Sequence, residues 1–305
     1  MLANFLNKSK PINFIGVLVF FLVGLFYTIF YDGFTSDKLV QSTILSLLFL
    51  TIFFVFNFIN SKNNLTFDNS YAYFLFVLLT LSISSVLIEY SILIKTIIYL
   101  LFLRKIYSLR SSKKTIEKFF DSGFWLGILF IVEPFSVVFL ILLYIAIYTH
   151  HKITIQSLFV PITGYITPLI IYFTYLFGVE QLDAFTADKD FNINFDVEFY
   201  AQTKYFWIVS SVLFFTILSL LIKSIKTLSI NNTFKKSWIV LLTNFTIVIV
   251  FLCYLPEKNG SELIFVFLPS AIILANGIEL IEKKILKDSV LYLFLIACII
   301  LHFLL

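Results

Sequence analysis

Long uninterrupted apolar runs fill most of the chain, and short clusters of charged residues separate them. A helix needs about 20 mainly apolar residues to cross a bilayer, and continuous runs favour helices over the alternating pattern of a transmembrane barrel. The runs predict spans at 12–31, 39–59, 70–88, 90–103, 157–178, 205–224, 237–255, 261–280 and 288–305. We therefore predict an all-α fold: a polytopic transmembrane helical bundle of about 10 to 11 crossings.

The segment 119–149 is too long for one ordinary span, and it contains Glu133 followed by Pro134. Proline ends or kinks a helix at the preceding residue. A carboxylate is also less costly at an interface than in the middle of a bilayer. We interpret the segment as a short helical hairpin broken at Glu133-Pro134. A single unbroken crossing is the alternative, and the sequence leaves the choice between one and two crossings open.

Lysine and arginine collect in alternate loops, which sets the orientation of the chain because basic loops stay in the cytoplasm. Lys223 is assigned to one of these loops, and the most basic of them is 104–118. The opposite loops are short or acidic, and 179–203 is the longest extramembrane loop, on the outer side. This scheme predicts a bacterial inner (cytoplasmic) membrane protein with a cytoplasmic N-terminus and a periplasmic C-terminus.

Composition agrees with a chain surrounded by lipid. The sequence is 60% hydrophobic and 13% charged, whereas about a quarter of the residues in a soluble domain are charged. We expect one integral membrane domain over 1–305, no soluble domain, and the lipid bilayer as its main partner. The basic residues lie beside spans and form no exposed basic domain, so nucleic acid is not an expected partner.

Polar side chains at membrane depth are the best pointers to function, because each is costly unless it is paired or hydrated. The candidates are Lys95, Asp121, Asn244, Glu262 and Asn276, together with Glu133. Glu133 has two interpretations, either a cation-binding or basic group or a structural ion pair with Lys95. Asp121 is expected to cap the first hairpin helix, and the two amides are expected to hold helices together.

Motifs for nucleotide binding, serine hydrolysis and zinc proteolysis are absent from the sequence. The three histidines are His150, His151 and His302, and the predicted topology places the adjacent pair and His302 on opposite faces. A shared histidine metal centre is therefore not expected. We predict no cofactor and no metal.

Four ordered blocks of the sequence are NKSKPINF, FFDSGFWLGILFIVEPFSVVFLILLYIAIY, VPITGYITPLIIYFTYLFG and GSELIFVFLPSAIILANGIELIEKK. In these blocks, which cover most of the chain, the sequence resembles a family of uncharacterised membrane proteins from Bacteroidota-type bacteria, classified as a domain of unknown function. The hairpin and the FLPSAIILANGIE helix also look like the membrane half of GT-C glycosyltransferases. That similarity implies a polyprenyl-phosphate sugar substrate and a catalytic acid in the first outer loop, where the unusually short YDGFTSDK offers Asp32 and Asp37.

Three functions are compatible with these features. The favoured one is a non-catalytic subunit or assembly factor of a cell-envelope complex, with other envelope membrane proteins as partners. The second is a GT-C-like protein that binds or transfers a polyprenyl-phosphate-linked sugar, with Asp32, Asp37 and Glu133 as catalytic candidates. The third is a small-solute or ion transporter that uses Lys95 and Glu133. An enzyme is thus the less favoured class.

Overall fold

The computed structural model describes residues 1–150, 153–181, 198–227, 232–256 and 258–304, and no strand occurs in these ranges. The all-α class is confirmed. The helices are α1 Leu2–Leu6, α2 Pro11–Phe30, α3 Ser36–Asn63, α4 Tyr71–Ser82, α5 Tyr90–Ser108, α6 Thr115–Val132, α7 Phe139–His150, α8 Ile155–Gly178, α9 Glu198–Gln202, α10 Phe206–Thr227, α11 Asn232–Tyr254, α12 Leu263–Glu279 and α13 Lys284–Leu304.

Within the described ranges, six helices are long and apolar enough to cross a membrane. These are α2, α3, α8 and α13, with Phe206–Ile225 of α10 and Phe234–Tyr254 of α11. Shorter apolar helices are α4, Pro134–His150 and α12. The predicted span 70–88 is helical only over the 12 residues of α4. Crossings beyond these six stay a prediction, and most of the predicted outer loop 179–203 lies outside the described residues.

The predicted break in 119–149 is present. Helix α6 ends at Val132, Glu133 has extended backbone, and a 3-10 helix over Pro134–Val138 leads into α7. Proline lacks the backbone N–H that would continue α6. The first arm of the hairpin begins earlier than expected and is 18 residues long, whereas α7 has 12.

Contacts between Cα atoms group the chain into two compact units. Unit 1 comprises Met1–Ile94, Glu198–Lys235 and Asn259–Leu305, and unit 2 comprises Lys95–Val197 and Lys236–Lys258. The single membrane domain over 1–305 stays a prediction.

The core of unit 1 is formed by α4 and α12. All residues of α4 are buried, and nearly all of α12 are buried as well. A helix that is apolar all round is stable only when neighbours surround it or lipid does, and here α2, α10 and α13 pack around the two. Phe14 packs edge-on against Tyr73 near the start of both helices, and a Cβ on Gly24 would meet Leu81 further along both. Helices α2 and α4 therefore run in the same direction.

Unit 2 is built on a close pair of parallel helices, α6 and α8. A Cβ atom on Gly123 would collide with the Pro161 carbonyl, and one on Gly127 would collide with the Tyr165 carbonyl. Because contacts advance in the same order along both helices, the chain must travel back between them through α7. The Tyr144 hydroxyl of α7 donates to the Leu158 carbonyl of α8 at 2.8 Å. This path is the predicted hairpin, and whether both arms cross a membrane stays a prediction.

Candidate functional site

Glu133 and Lys95 form an ion pair in unit 2. Lys95 Nζ lies 2.9 Å from Glu133 Oε2, and the two side chains are 23% and 13% exposed. The pair joins α5 to the break after α6, at the point where Pro134 forces Glu133 out of the helix. Lys95 is therefore the partner that the structural interpretation of Glu133 requires. The functional interpretation of Glu133 stays a prediction.

Asp121 does not cap a helix, which corrects the prediction. Helix α6 begins at Thr115, so Asp121 lies within its body, where the backbone amides are already used by the helix. Its carboxylate instead pairs with Lys105 Nζ at 2.5 Å. The expectation failed because the apolar run starts at Phe119, whereas the helix extends back through polar residues.

Asn244 links two tyrosines in the interior of unit 2. The Tyr99 hydroxyl donates to Asn244 Oδ1 at 2.5 Å, and Asn244 Nδ2 lies 3.5 Å from the Tyr107 hydroxyl. All three residues are buried. The amide thus connects α11 to two turns of α5, which is the helix-joining role expected of a polar residue at membrane depth.

Glu262 accepts three hydrogen bonds at the start of α12 in unit 1. The donors are the Tyr200 hydroxyl at 2.5 Å, Gly260 N at 2.9 Å and Asn259 N at 3.3 Å. The Glu262 residue is only 4% exposed. Burial, and secondarily the Glu262 carboxylate, raise the pKa of Tyr205, whose ring packs against Gly260 at a positive φ of 93°. Glu262 therefore fixes the loop before α12 to α9.

A buried ion pair that sequence reasoning missed lies at the other end of α12. Lys223 Nζ of α10 is 3.3 Å from Glu279 Oε2, and the two side chains are 7% and 4% exposed. Phe67 N and Asn69 Nδ2 donate to the second oxygen, at 2.8 and 2.7 Å. Lys223 is thus no solvent-facing marker of a cytoplasmic loop, because its charge is satisfied inside unit 1.

Asn276 extends this polar cluster by one helical turn. Its side-chain nitrogen donates to the carbonyls of Leu65 and Ile272, both at 2.9 Å. The ring centroid of Phe67 lies 5.0 Å from Lys223 Nζ, a cation–π distance. The connection between α3 and α4 is therefore bound to α10 and α12 through side chains. Within this cluster, the sequence pointed to Asn276 as a polar side chain in an apolar segment. It did not point to Glu279, because Glu279 stands in a charged stretch that resembles a solvent-exposed loop.

The remaining candidates do not gather into one site. Asp32 and Asp37 are exposed at the turn between α2 and α3, and Asp37 lies in the first turn of α3. His302 contacts Ser84 Oγ and the Leu81 carbonyl, each at 3.1 Å, while His151 lies outside the described residues. Within the described ranges, no three His, Cys, Asp or Glu residues are placed to hold a metal ion.

The fold and these internal pairs define an all-helical membrane protein in which ionisable side chains bind one another. Residues 1–304 match the profile of a family of unknown function, DUF6427, and the chain belongs to that family. Its resemblance to a domain of unknown function is thereby confirmed. No curated protein and no solved structure matches the chain significantly.

Proposed function

We propose that this protein is a non-catalytic membrane subunit or assembly factor of a cell-envelope complex. One observation carries the proposal: acidic side chains in or beside the apolar helices are bound by other groups of the same chain. Glu133, Asp121 and Glu279 each have a lysine partner, and Glu262 has three donors. A catalytic acid needs access to a substrate in its working protonation state. These carboxylates stabilise helix contacts.

The proposed setting is a bacterial inner membrane, with a cytoplasmic N-terminus and a periplasmic C-terminus. The charge distribution of the loops supports this orientation. The long helices expose many large apolar side chains, and those at one end of α8 line a shallow open depression. Its lining residues include Ile166, Ile170, Phe173 and Phe177. Lipid or an apolar partner helix fits such a surface.

Native purification tests the subunit proposal. We expect a tagged chain, extracted in mild detergent, to retain a stoichiometric protein partner identified by mass spectrometry. The variants Glu133→Gln and Asp32→Asn should retain the same partner at the same ratio, because Glu133 is bound to Lys95 within the chain and Asp32 has no catalytic role under this proposal. Recovery of the chain without protein, from membranes that contain it at normal levels, would contradict the proposal.

A second candidate function is ion or small-solute transport through unit 2. The polar side chains of α5 and their partners favour it, since Lys95, Tyr99 and Tyr107 follow one another along a single helix. Ser136 is three residues after Glu133 and fully buried, and its hydroxyl has no hydrogen-bond partner among the described residues. Purified protein in liposomes should then carry ions under a proton or sodium gradient, and Glu133→Gln should abolish the flux. Flux equal to that of empty liposomes would rule this function out.

The GT-C-like alternative is a less favoured proposal. It requires a lipid-sized groove with Asp32, Asp37 or Glu133 at its mouth, and Asp32 and Asp37 lie on an exposed turn of unit 1. Polyprenyl-phosphate lipid bound to the purified chain would support it. Full activity of the double variant Asp32→Asn/Asp37→Asn would exclude the GT-C-like function.

A further inference from the structure

The basic turn, residues 104–118, joins the C-terminal part of α5 to the first turn of α6 in unit 2. It contains six basic residues and one acidic residue, Glu117. Helix α5 ends at Ser108 and α6 begins at Thr115. The short connection therefore keeps these positive charges at one end of two antiparallel helices, directly beside their apolar segments.

Two lysines of this turn hold its structure. Lys118 Nζ donates to the Ser108 and Ser111 carbonyls at 2.7 and 2.9 Å, which satisfies backbone oxygens at the end of α5. Lys105 pairs with Asp121 at 2.5 Å. These contacts tie the connection to both helices, so the turn presents its other charges from a fixed position.

Lys113 and Lys114 are exposed on the turn. Lys114 pairs with Glu117 at 3.1 Å, but the two side chains are 74% and 63% exposed. An exposed pair of this kind is weak and is screened by salt. Both ammonium groups are consequently available to an anionic partner.

An apolar side chain lies among these charges. Ile116, in the first turn of α6, is 48% exposed and lies two residues after Lys114 and two residues before Lys118. Binding of a nucleic acid or an acidic protein to such a turn is mainly electrostatic, so a single isoleucine between lysines adds little to it. A bilayer surface accommodates both, because lysine stems lie along apolar groups while the ammonium reaches the headgroups.

We propose that the basic turn binds the phosphate headgroups of anionic phospholipids in the leaflet that it faces. The ammonium groups of Lys113 and Lys114 contact the phosphates, and Ile116 lies between the headgroups. Basic clusters directly next to membrane helices attract anionic lipids by this mechanism. The proposal stands whether or not the protein is a subunit of a larger complex.

Lipid retention by the purified full chain tests the proposal. Native mass spectrometry counts bound phosphatidylglycerol and phosphatidylcholine for wild type, Lys113→Gln/Lys114→Gln and Lys113→Arg/Lys114→Arg. We expect the glutamine variant to lose phosphatidylglycerol affinity on the order of tenfold, with phosphatidylcholine unchanged. The arginine variant should bind as wild type does. Circular dichroism melting checks that all variants are folded.

A matched control is Lys8→Gln/Lys10→Gln, which makes the same change in charge at two exposed lysines of unit 1. This control variant should bind phosphatidylglycerol with the affinity of the wild-type protein, because its basic turn is unchanged. Equal losses in both double variants, or no loss in Lys113→Gln/Lys114→Gln, would overturn the proposal. Displacement of phosphatidylglycerol by millimolar inorganic phosphate would overturn it too, because the turn would then be a general anion site.

Discussion

An ion pair buried away from water costs desolvation free energy, which it regains only when the remaining donors and acceptors are satisfied. Glu279 meets this condition, since its second oxygen accepts from Phe67 N and Asn69 Nδ2 while Lys223 neutralises the first. The cluster closes one end of α12. Each residue of this cluster therefore contributes to stability by joining helices to one another.

Removing Lys223 should be strongly destabilising. In Lys223→Met the Glu279 carboxylate keeps its burial and loses its counter-charge, and we expect a loss of about 3 kcal/mol in the free energy of unfolding. The measurement is denaturation by SDS in mixed micelles. Lys223→Met/Glu279→Gln should recover more than half of the loss, because no unpaired charge is left.

The matched control for this prediction is Lys114→Met, whose ion pair is exposed to solvent. It should change stability little, since exposed pairs contribute little. A Lys223→Met variant as stable as Lys114→Met would show that Glu279 needs no counter-charge.

At the scale of helices, the pairing of α6 with α8 depends on three glycines. Gly123 and Gly127 of α6 and Gly164 of α8 let the two backbones approach until carbonyl oxygens occupy the places where Cβ atoms would stand. Small residues at helix contacts are the usual means of close packing in membranes. The two helices thus form a closely packed pair, and α7 is hydrogen-bonded to α8 through Tyr144.

Enlarging Gly164 should separate α6 from α8. In Gly164→Val the side chain would meet the Phe120 carbonyl, which is backbone and cannot rotate away. Overpacking of this kind costs about 1–3 kcal/mol, and unfolding in mixed micelles measures it. Gly178→Ala is the control on the same helix, since a Cβ there meets no atom of the described residues within 4 Å. Equal stability of the two variants would show that the pair tolerates separation.

Local chemistry accounts for which elements were predictable. The break at Glu133 follows from the proline beside it, and the long apolar runs that became α2, α3 and α8 needed no tertiary information. The burial of Lys223 was not predictable, because its partner Glu279 is distant in sequence. The true start of α6 was missed since its first residues are polar and carry no span signal. The sequence pattern does not show which distant residues contact each other in the folded chain.

At the scale of the whole molecule, the described ends of unit 1 differ in chemistry. Exposed aromatic residues mark the end where α2 stops and α10 starts, including Tyr31, Phe34 and Trp207. The opposite end carries exposed Lys8, Lys10 and Lys284. Tryptophan and tyrosine favour membrane interfaces, and lysine favours the cytoplasmic side. The polarity of unit 1 thus agrees with the proposed orientation.

Cysteine labelling checks this orientation. The native cysteines, Cys253 and Cys298, are first replaced by alanine. A membrane-impermeant maleimide should then label Phe34→Cys in intact spheroplasts, and label Lys284→Cys only after permeabilisation. The two positions lie at opposite ends of unit 1 and are both exposed. The reverse labelling pattern would invert the proposed topology.

The parallel α6–α8 pair also constrains how the protein is made. A ribosome that has synthesised the chain only as far as His150 has produced Gly123 and Gly127 but not the backbone that covers them. Helices α5, α6 and α7 must therefore wait, with this glycine surface open, until residues 155–168 are inserted. A chain truncated before Ile155 keeps Gly123 and Gly127 uncovered, because the backbone that contacts them is missing. We expect such a chain to be degraded faster in cells than the full-length protein.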